Sequence, residues 1–242
     1  MRRVWFVALL VFATPAIAQE VIPAGIVLPL QLNSSLNSTK VQPGQTITAT
    51  LMQDVPLPFG SRLRAGAKVV GHVVSATQSA GNVTVTLRFD SLRISKKTIS
   101  VTTSLRALAS SLDVDDAQLP TSGPDRGTSQ NAWTTAQIGG DVVYRGGGPV
   151  AHGLQVVGKP VPDGVLVRLN SNFDTRCRGE IDGNHELQAT WVFSASACGV
   201  YGFSDLDIAH AGRTAPVGEI TLSSAQGNFN VRSGSGLLLR VN

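Results

Sequence analysis

Cysteine is nearly missing from this 242-residue chain: there are two, Cys177 and Cys198, and they do not form a C-x-x-C pair. A redox motif that tunes a thiolate is thereby excluded. The four histidines, His72, His152, His185 and His210, are scattered, with no H-x-x-x-H pair and no cysteine at metal-ligand spacing. Structural or surface roles are expected for all four, with no metal site. Aromatic residues make up 5% of the chain and rarely interrupt its basic stretches, which leaves no stacking surface for nucleic acid. There is no G-x-S-x-G nucleophile motif. The glycine run "YRGGGP" (144–149) lacks the lysine and helix of a P-loop and the spacing of a dinucleotide site, so it reads as a tight turn and no cofactor is expected.

Long hydrophobic runs are also scarce. The opening "MRRVWFVALLVFATPAIAQ" has two arginines, a short apolar run and the small-x-small triplet Ala16, Ile17, Ala18. That is the layout of a signal peptide over residues 1–18, too short to span a bilayer. The expected product is an exported chain starting near Gln19, periplasmic, associated with the envelope or extracellular, with no transmembrane segment. In an oxidising compartment its two cysteines would form one disulfide, closing a loop of roughly 20 residues and contributing on the order of 3 kcal/mol.

Charge is sparse and unevenly placed. Without Arg2 and Arg3 the formal net charge falls from +4 to +2, which argues against a dedicated nucleic-acid binder. Residues 21–110 nevertheless carry nine Lys/Arg against Asp54 and Asp90, net +7, while residues 111–242 carry nine against thirteen acids, net −4. Arg62, Arg64, Lys68, Arg93, Lys96 and Lys97 form the candidate surface for an anionic partner, such as lipid headgroups or an envelope polymer, and the expected partner is an envelope protein or that anionic polymer.

What the sequence has in abundance is period-two patterning and turn chemistry. In "NVTVTLRFD" Val83, Val85, Leu87 and Phe89 alternate with Thr84, Thr86, Arg88 and Asp90, and "GIVLPLQL", "QTITATLM" and "KTISVTTS" read the same way. "IPAG" at 22–25 and "LRAG" at 63–66 each put a glycine before a strand, with a Pro43-Gly44 turn between them. Further strands are expected in "GGDVVY", "LQVVG", "GVLVRLN", "ELQATWVF", "GVYGF", "GEITL" and "NFNVR", joined by Asp163-Gly164, Asp182-Gly183-Asn184 and Gly227-Asn228 turns. The closing "GLLLRV" alternates poorly, as a strand buried on both faces would.

The expected class is therefore all-β, with a barrel-like or sandwich portion at 19–109, a polar linker or long loop at 110–132 and a β-rich portion carrying the disulfide at 133–242. No segment after residue 18 longer than about ten residues shows a helical stripe. Asp113, Asp115 and Asp116 in the linker lack the glycine and glutamate of a calcium loop.

In order, "IPAGIVLPLQLNSSLNS", "PGQTITATLMQDV", "GSRLRAGAKVVGHVVSA" and "GNVTVTLRFDSLRI" resemble the start of the β-barrel domain of the large scaffold subunit of bacterial type IV secretion and conjugation machines. The matching positions are 22–25, 37–44, Asp54-Val55, 65–71 and 83–92, within residues 21 to about 103. The resemblance implies a barrel for this portion and an envelope location. Members of that family also carry an inner-membrane helix, a proline-rich stalk and a helical antenna, which have no counterpart in this sequence. The functional expectation is a non-enzymatic component of envelope binding or assembly. Its alternative is an exported hydrolase centred on Asp205, Asp207 and His210 of "SDLDIAH".

Overall fold

Alternating side chains and short turns yield a chain whose regular structure is almost entirely strand, in a computed structural model that describes residues 21–79, 81–120, 133–169, 186–211 and 216–242. The first portion contains β1 (Val27–Leu32), β2 (Leu36–Asn37), β3 (Thr46–Leu51), β4 (Val55–Pro56), β5 (Arg62–Leu63), β6 (Lys68–Ser79), β7 (Asn82–Ile94), β8 (Lys97–Ser100) and β9 (Thr103–Ala109). Helix α1 (Ser111–Gln118) follows. Next come β10 (Thr134–Ala136), β11 (Val142–Tyr144), β12 (Val150–His152), β13 (Gln155–Val161), β14 (Gly164–Arg168) and β15 (Leu187–Ala189). The remainder supplies β16 (Gly199–Tyr201), β17 (Asp207–Ile208), β18 (Ile220–Ser224), β19 (Asn230–Val231) and β20 (Gly236–Val241).

The larger sheet runs β16-β9-β20-β1-β3-β6-β7-β18-β17, with β8 added on β7. Its end strands β16 and β17 come back into contact, so the sheet curls into a barrel. Val101 N donates to Asp90 O at 2.9 Å and Thr103 Oγ1 to Phe89 O at 3.0 Å, tying the start of β9 beside β7. Leu30, Leu51, Val69, Phe89, Leu92 and Leu239 fill the interior. The second sheet, β10 to β15, is an antiparallel meander in chain order. No helix among the described residues is long and apolar enough to cross a membrane.

Strand β20 is buried along its whole length. Leu237, Leu239 and Val241 point into the barrel, while Leu238 joins Val27, Ala107, Ala109, Val114, Val143 and Phe193 in a second core outside it. The expectation for "GLLLRV" thus has a structural cause: β9, β20 and β1 form a wall shared by two cores. The turn expectation also holds, since Gly25 and Gly66 sit at φ +87° and +86°. A residue with a Cβ is strained in that region.

Two features of the organisation go beyond the sequence reading. The interval 110–132 is not a plain linker, because its first residues form α1. Ser110 accepts a hydrogen bond from Asp113 N at 3.1 Å, capping the helix, and Val114 and Ala117 are buried. The helical signal lies in that cap, since eight residues are too short to display a stripe. Nor does 133–242 stand apart from the barrel: β16, β17, β18 and β20 all belong to the barrel sheet. Local sequence specifies a strand without naming its partner, so this return was invisible.

The turn at "PDG" differs in detail. Val161 pairs with Gly164, leaving Pro162 and Asp163 as the two turn residues, with Asp163 at φ +62°. Gly164 already lies in β14, where a Cβ would strike Gln53 Oε1. Its glycine serves close approach, not the turn.

Candidate functional site

The register of the barrel brings the candidate cations to one end of the sheet. Thr50 pairs with Lys68, Lys68 with Arg93 and Arg93 with Thr98, giving one rung across β3, β6, β7 and β8. Residues directly opposite in an antiparallel pair share a face with Cβ atoms about 5 Å apart, so Lys68 and Arg93 stand side by side in solvent. Lys97 pairs with Ile94 one rung further on, and Lys96 occupies the intervening turn. Arg62 and Arg64 come from the loop that joins β3 to β6, at the same end.

Only part of this charge is balanced. Arg64 Nη1 lies 3.0 Å and Arg62 Nη1 3.4 Å from the same atom, Asp54 Oδ2. Ala65 N donates to Asp54 Oδ1 at 2.9 Å. That amide bond foremost, together with the two arginines, holds the Asp54 carboxyl below its ordinary range against the opposing effect of burial. Lys68, Arg93 and Lys96 make no ion pair with any described residue. Arg88, elsewhere on the barrel, is better matched, with Nη2 3.4 Å from Glu219 Oε1, and His72 Nδ1 lies 2.9 Å from Asp90 Oδ2.

Beside the rim lies a cleft of about 630 Å³ between the two sheets. Asp54, Arg62 and Arg64 line its barrel side, and Val161, Pro162, Asp163 and Leu166 its other wall. Gln53, fully buried, sets the spacing of these walls. Its Oε1 accepts from Trp191 N at 2.7 Å and Val165 N at 3.2 Å, while Nε2 donates to Val165 O at 2.7 Å.

Asp205, Asp207 and His210 of the alternative site lie on β17 and the turns beside it. Asp205 and Asp207 flank buried Leu206 and project away from the core. Asp205 Oδ2 accepts from Ser204 Oγ at 2.6 Å, and no described hydrogen bond or ion pair joins Asp207 to His210. Among the described residues, no group of three or more His, Cys, Asp or Glu is arranged to hold a metal. Cys198 is buried and is not a free thiol. Cys177, residues 1–18 and the Asp182–Asn184 turn lie outside the described residues.

Sequence reasoning missed a charged network behind the shared wall. Asp141 is completely buried, with Oδ1 2.9 Å from His152 Nδ1 and Oδ2 accepting from Ala195 N at 2.7 Å. Buried Arg106 reaches the same segment, donating from Nε to Ala197 O at 2.8 Å and from Nη2 to Ala195 O at 3.3 Å. Burial foremost lowers this guanidinium to about 10, with neighbouring Arg240 adding to the shift and Tyr201 opposing it. Residue 195 therefore donates to an anion and accepts from a cation, which fixes the 194–197 turn on the barrel. A carboxylate on Nδ1 can orient an imidazole as a base. The hydroxyls nearby are bound in structural contacts, however: Ser194 Oγ lies 3.2 Å from Ser196 Oγ, which donates to Gly139 O at 3.2 Å. The pair Asp141 and His152 becomes adjacent only through hairpin register, which composition and spacing do not reveal.

No protein-family model matches the chain, and no curated protein matches it.

Proposed function

We propose that this is an exported, non-enzymatic β protein of the cell envelope that contacts an anionic envelope component through the rim formed by Arg62, Arg64, Lys68, Arg93, Lys96 and Lys97. The observation that carries this reading is the register pair Lys68 and Arg93. Like charges directly opposite in a sheet destabilise it, and no described carboxylate relieves this pair. An anion bridging the two would convert that repulsion into attraction. The apolar run and small-x-small triplet before Gln19 support export, and the resemblance of residues 21–103 to a secretion-scaffold barrel supports an envelope location. A Cys177–Cys198 disulfide fits the same compartment.

The test is binding to a soluble polyanion, polyphosphate, by the chain from Gln19 onward. Binding should fall steeply with salt, since exposed charges are screened within about 8 Å at physiological ionic strength. Changing Lys68, Arg93, Lys96 and Lys97 to glutamine should abolish most of it. Binding that ignores both salt and these substitutions would refute the reading.

A further inference from the structure

The tip of the loop between β4 and β5 presents an aromatic ring to solvent. Phe59 is fully exposed, at 108% of its reference area, and Pro56 and Pro58 beside it are exposed too. Its backbone sits at φ +60°. That region is sparsely populated by bulky residues, and such strain persists where the surroundings enforce it, often for a purpose. Leu57 N donates to Ser61 O at 2.9 Å and Ser61 Oγ to Pro58 O at 3.2 Å, closing the tip. With two prolines already fixing φ, little freedom is left to lose on binding.

The cations decide what this tip meets. Arg62 and Arg64 follow Phe59 on the same excursion between β3 and β6, and Lys68, Arg93 and Lys96 lie at the same end of the barrel. Leu154, at the turn between β12 and β13, is equally exposed, yet no Lys or Arg lies within four residues of it. A protein partner would have to offer a pocket for one convex ring. A bilayer surface needs no pocket: an aromatic ring settles at the headgroup boundary while adjacent basic side chains meet lipid phosphates.

We propose that the Pro56–Arg64 loop docks the protein on an anionic lipid surface, with Phe59 as the apolar wedge and the rim cations as phosphate contacts. This rests on the proposed role of the rim and names one partner for it. The experiment uses the chain from Gln19 onward, which keeps every described strand and removes the apolar N-terminal run. Its probes are phosphatidylcholine vesicles with and without phosphatidylglycerol, and soluble polyphosphate.

The chain should bind the phosphatidylglycerol vesicles and neglect pure phosphatidylcholine. Phe59→Ala should weaken vesicle binding about tenfold and leave polyphosphate binding unchanged. Phe59→Gly, which relieves the positive φ, should lose vesicle binding equally while matching or exceeding the native urea midpoint, so misfolding is separated from lost docking. Phe59→Trp should show blue-shifted emission on vesicles and quenching by brominated acyl chains. Unchanged vesicle binding by Phe59→Ala, or an unshifted tryptophan, overturns the wedge and leaves the rim standing if polyphosphate binding remains salt-sensitive. No binding to either probe overturns both.

Discussion

Removal of the Gln53 side chain should be among the most damaging single changes outside the apolar cores. Two backbone amides, Trp191 N and Val165 N, give their hydrogen bonds to Gln53 Oε1, and Nε2 serves Val165 O. A buried donor left without a partner costs about 1–3 kcal/mol, so two orphaned amides cost roughly 2–6 kcal/mol before any cavity term. Val165 O keeps a longer bond from Thr190 N at 3.3 Å, which spares that acceptor. Gln53→Leu, which preserves most of the volume, should therefore lose about 3 kcal/mol in urea unfolding, and Gln53→Ala about 4 kcal/mol once a cavity is added. Domains are stable by only about 5–15 kcal/mol, so either variant should be conspicuous. The same contact predicts coupling with Gly164, whose Cβ would strike Gln53 Oε1. Gly164→Ala should cost about 1 kcal/mol less in the Gln53→Ala background than alone. A loss below about 1 kcal/mol for Gln53→Leu would show that water or an alternative partner satisfies those amides, and would refute the argument.

Four further outcomes are expected. Asp54→Asn should tighten polyphosphate binding by releasing Arg62 and Arg64, with the native rim approaching that behaviour as acid protonates Asp54; equal affinities at neutral pH would count against the pairing. Because the Asp54 carboxyl is lowered from 3.8 in the folded chain, its contribution to stability is present above that value and is lost as pH falls through the folded titration, so Asp54→Asn should flatten the acid limb of a stability profile. Gly66→Val should lower stability by about 1–3 kcal/mol through backbone strain alone, because nothing lies within 4 Å of the added Cβ; an unchanged melting midpoint would contradict the φ of +86°. Titration of denatured, unreduced protein should find no reactive thiol, and two per chain would disprove the Cys177–Cys198 bond.

The sequence made strands and turns legible because both are local. Alternation at 83–89 buries Val83, Val85, Leu87 and Phe89 as expected, and the glycines at 25 and 66 take the backbone region that turns demand. Pairing is not local, and there the reading stopped. The six cations could be counted from sequence, but their inequality could not. Arg62 and Arg64 share Asp54, whereas Lys68 faces Arg93, and only register separates these situations. Phe59 was in view throughout, in "PLPFGSRLR", and its importance depends on exposure and on a positive φ that no composition rule assigns to phenylalanine. Helix α1 escaped because its information resides in one capping serine.

The rim's repulsion is hard to relieve from within. Lys68 precedes Val69 and Arg93 follows Leu92, and both apolar neighbours are completely buried and paired with each other in the ladder. The backbones of β6 and β7 cannot separate without opening the barrel core, so only the flexible side-chain stems can move the charges apart. Arg62 and Arg64 are placed differently, on an exposed loop where a carboxylate already neutralises one of the two. An arriving anion therefore meets a rigid pair that gains fully from the contact and a loop pair that must first share its existing partner. Lys68 and Arg93 should accordingly contribute more per charge than Arg62 and Arg64. Double substitution of each pair to glutamine, followed by polyphosphate titration, ranks them directly, and a larger loss from the arginine pair would refute this order.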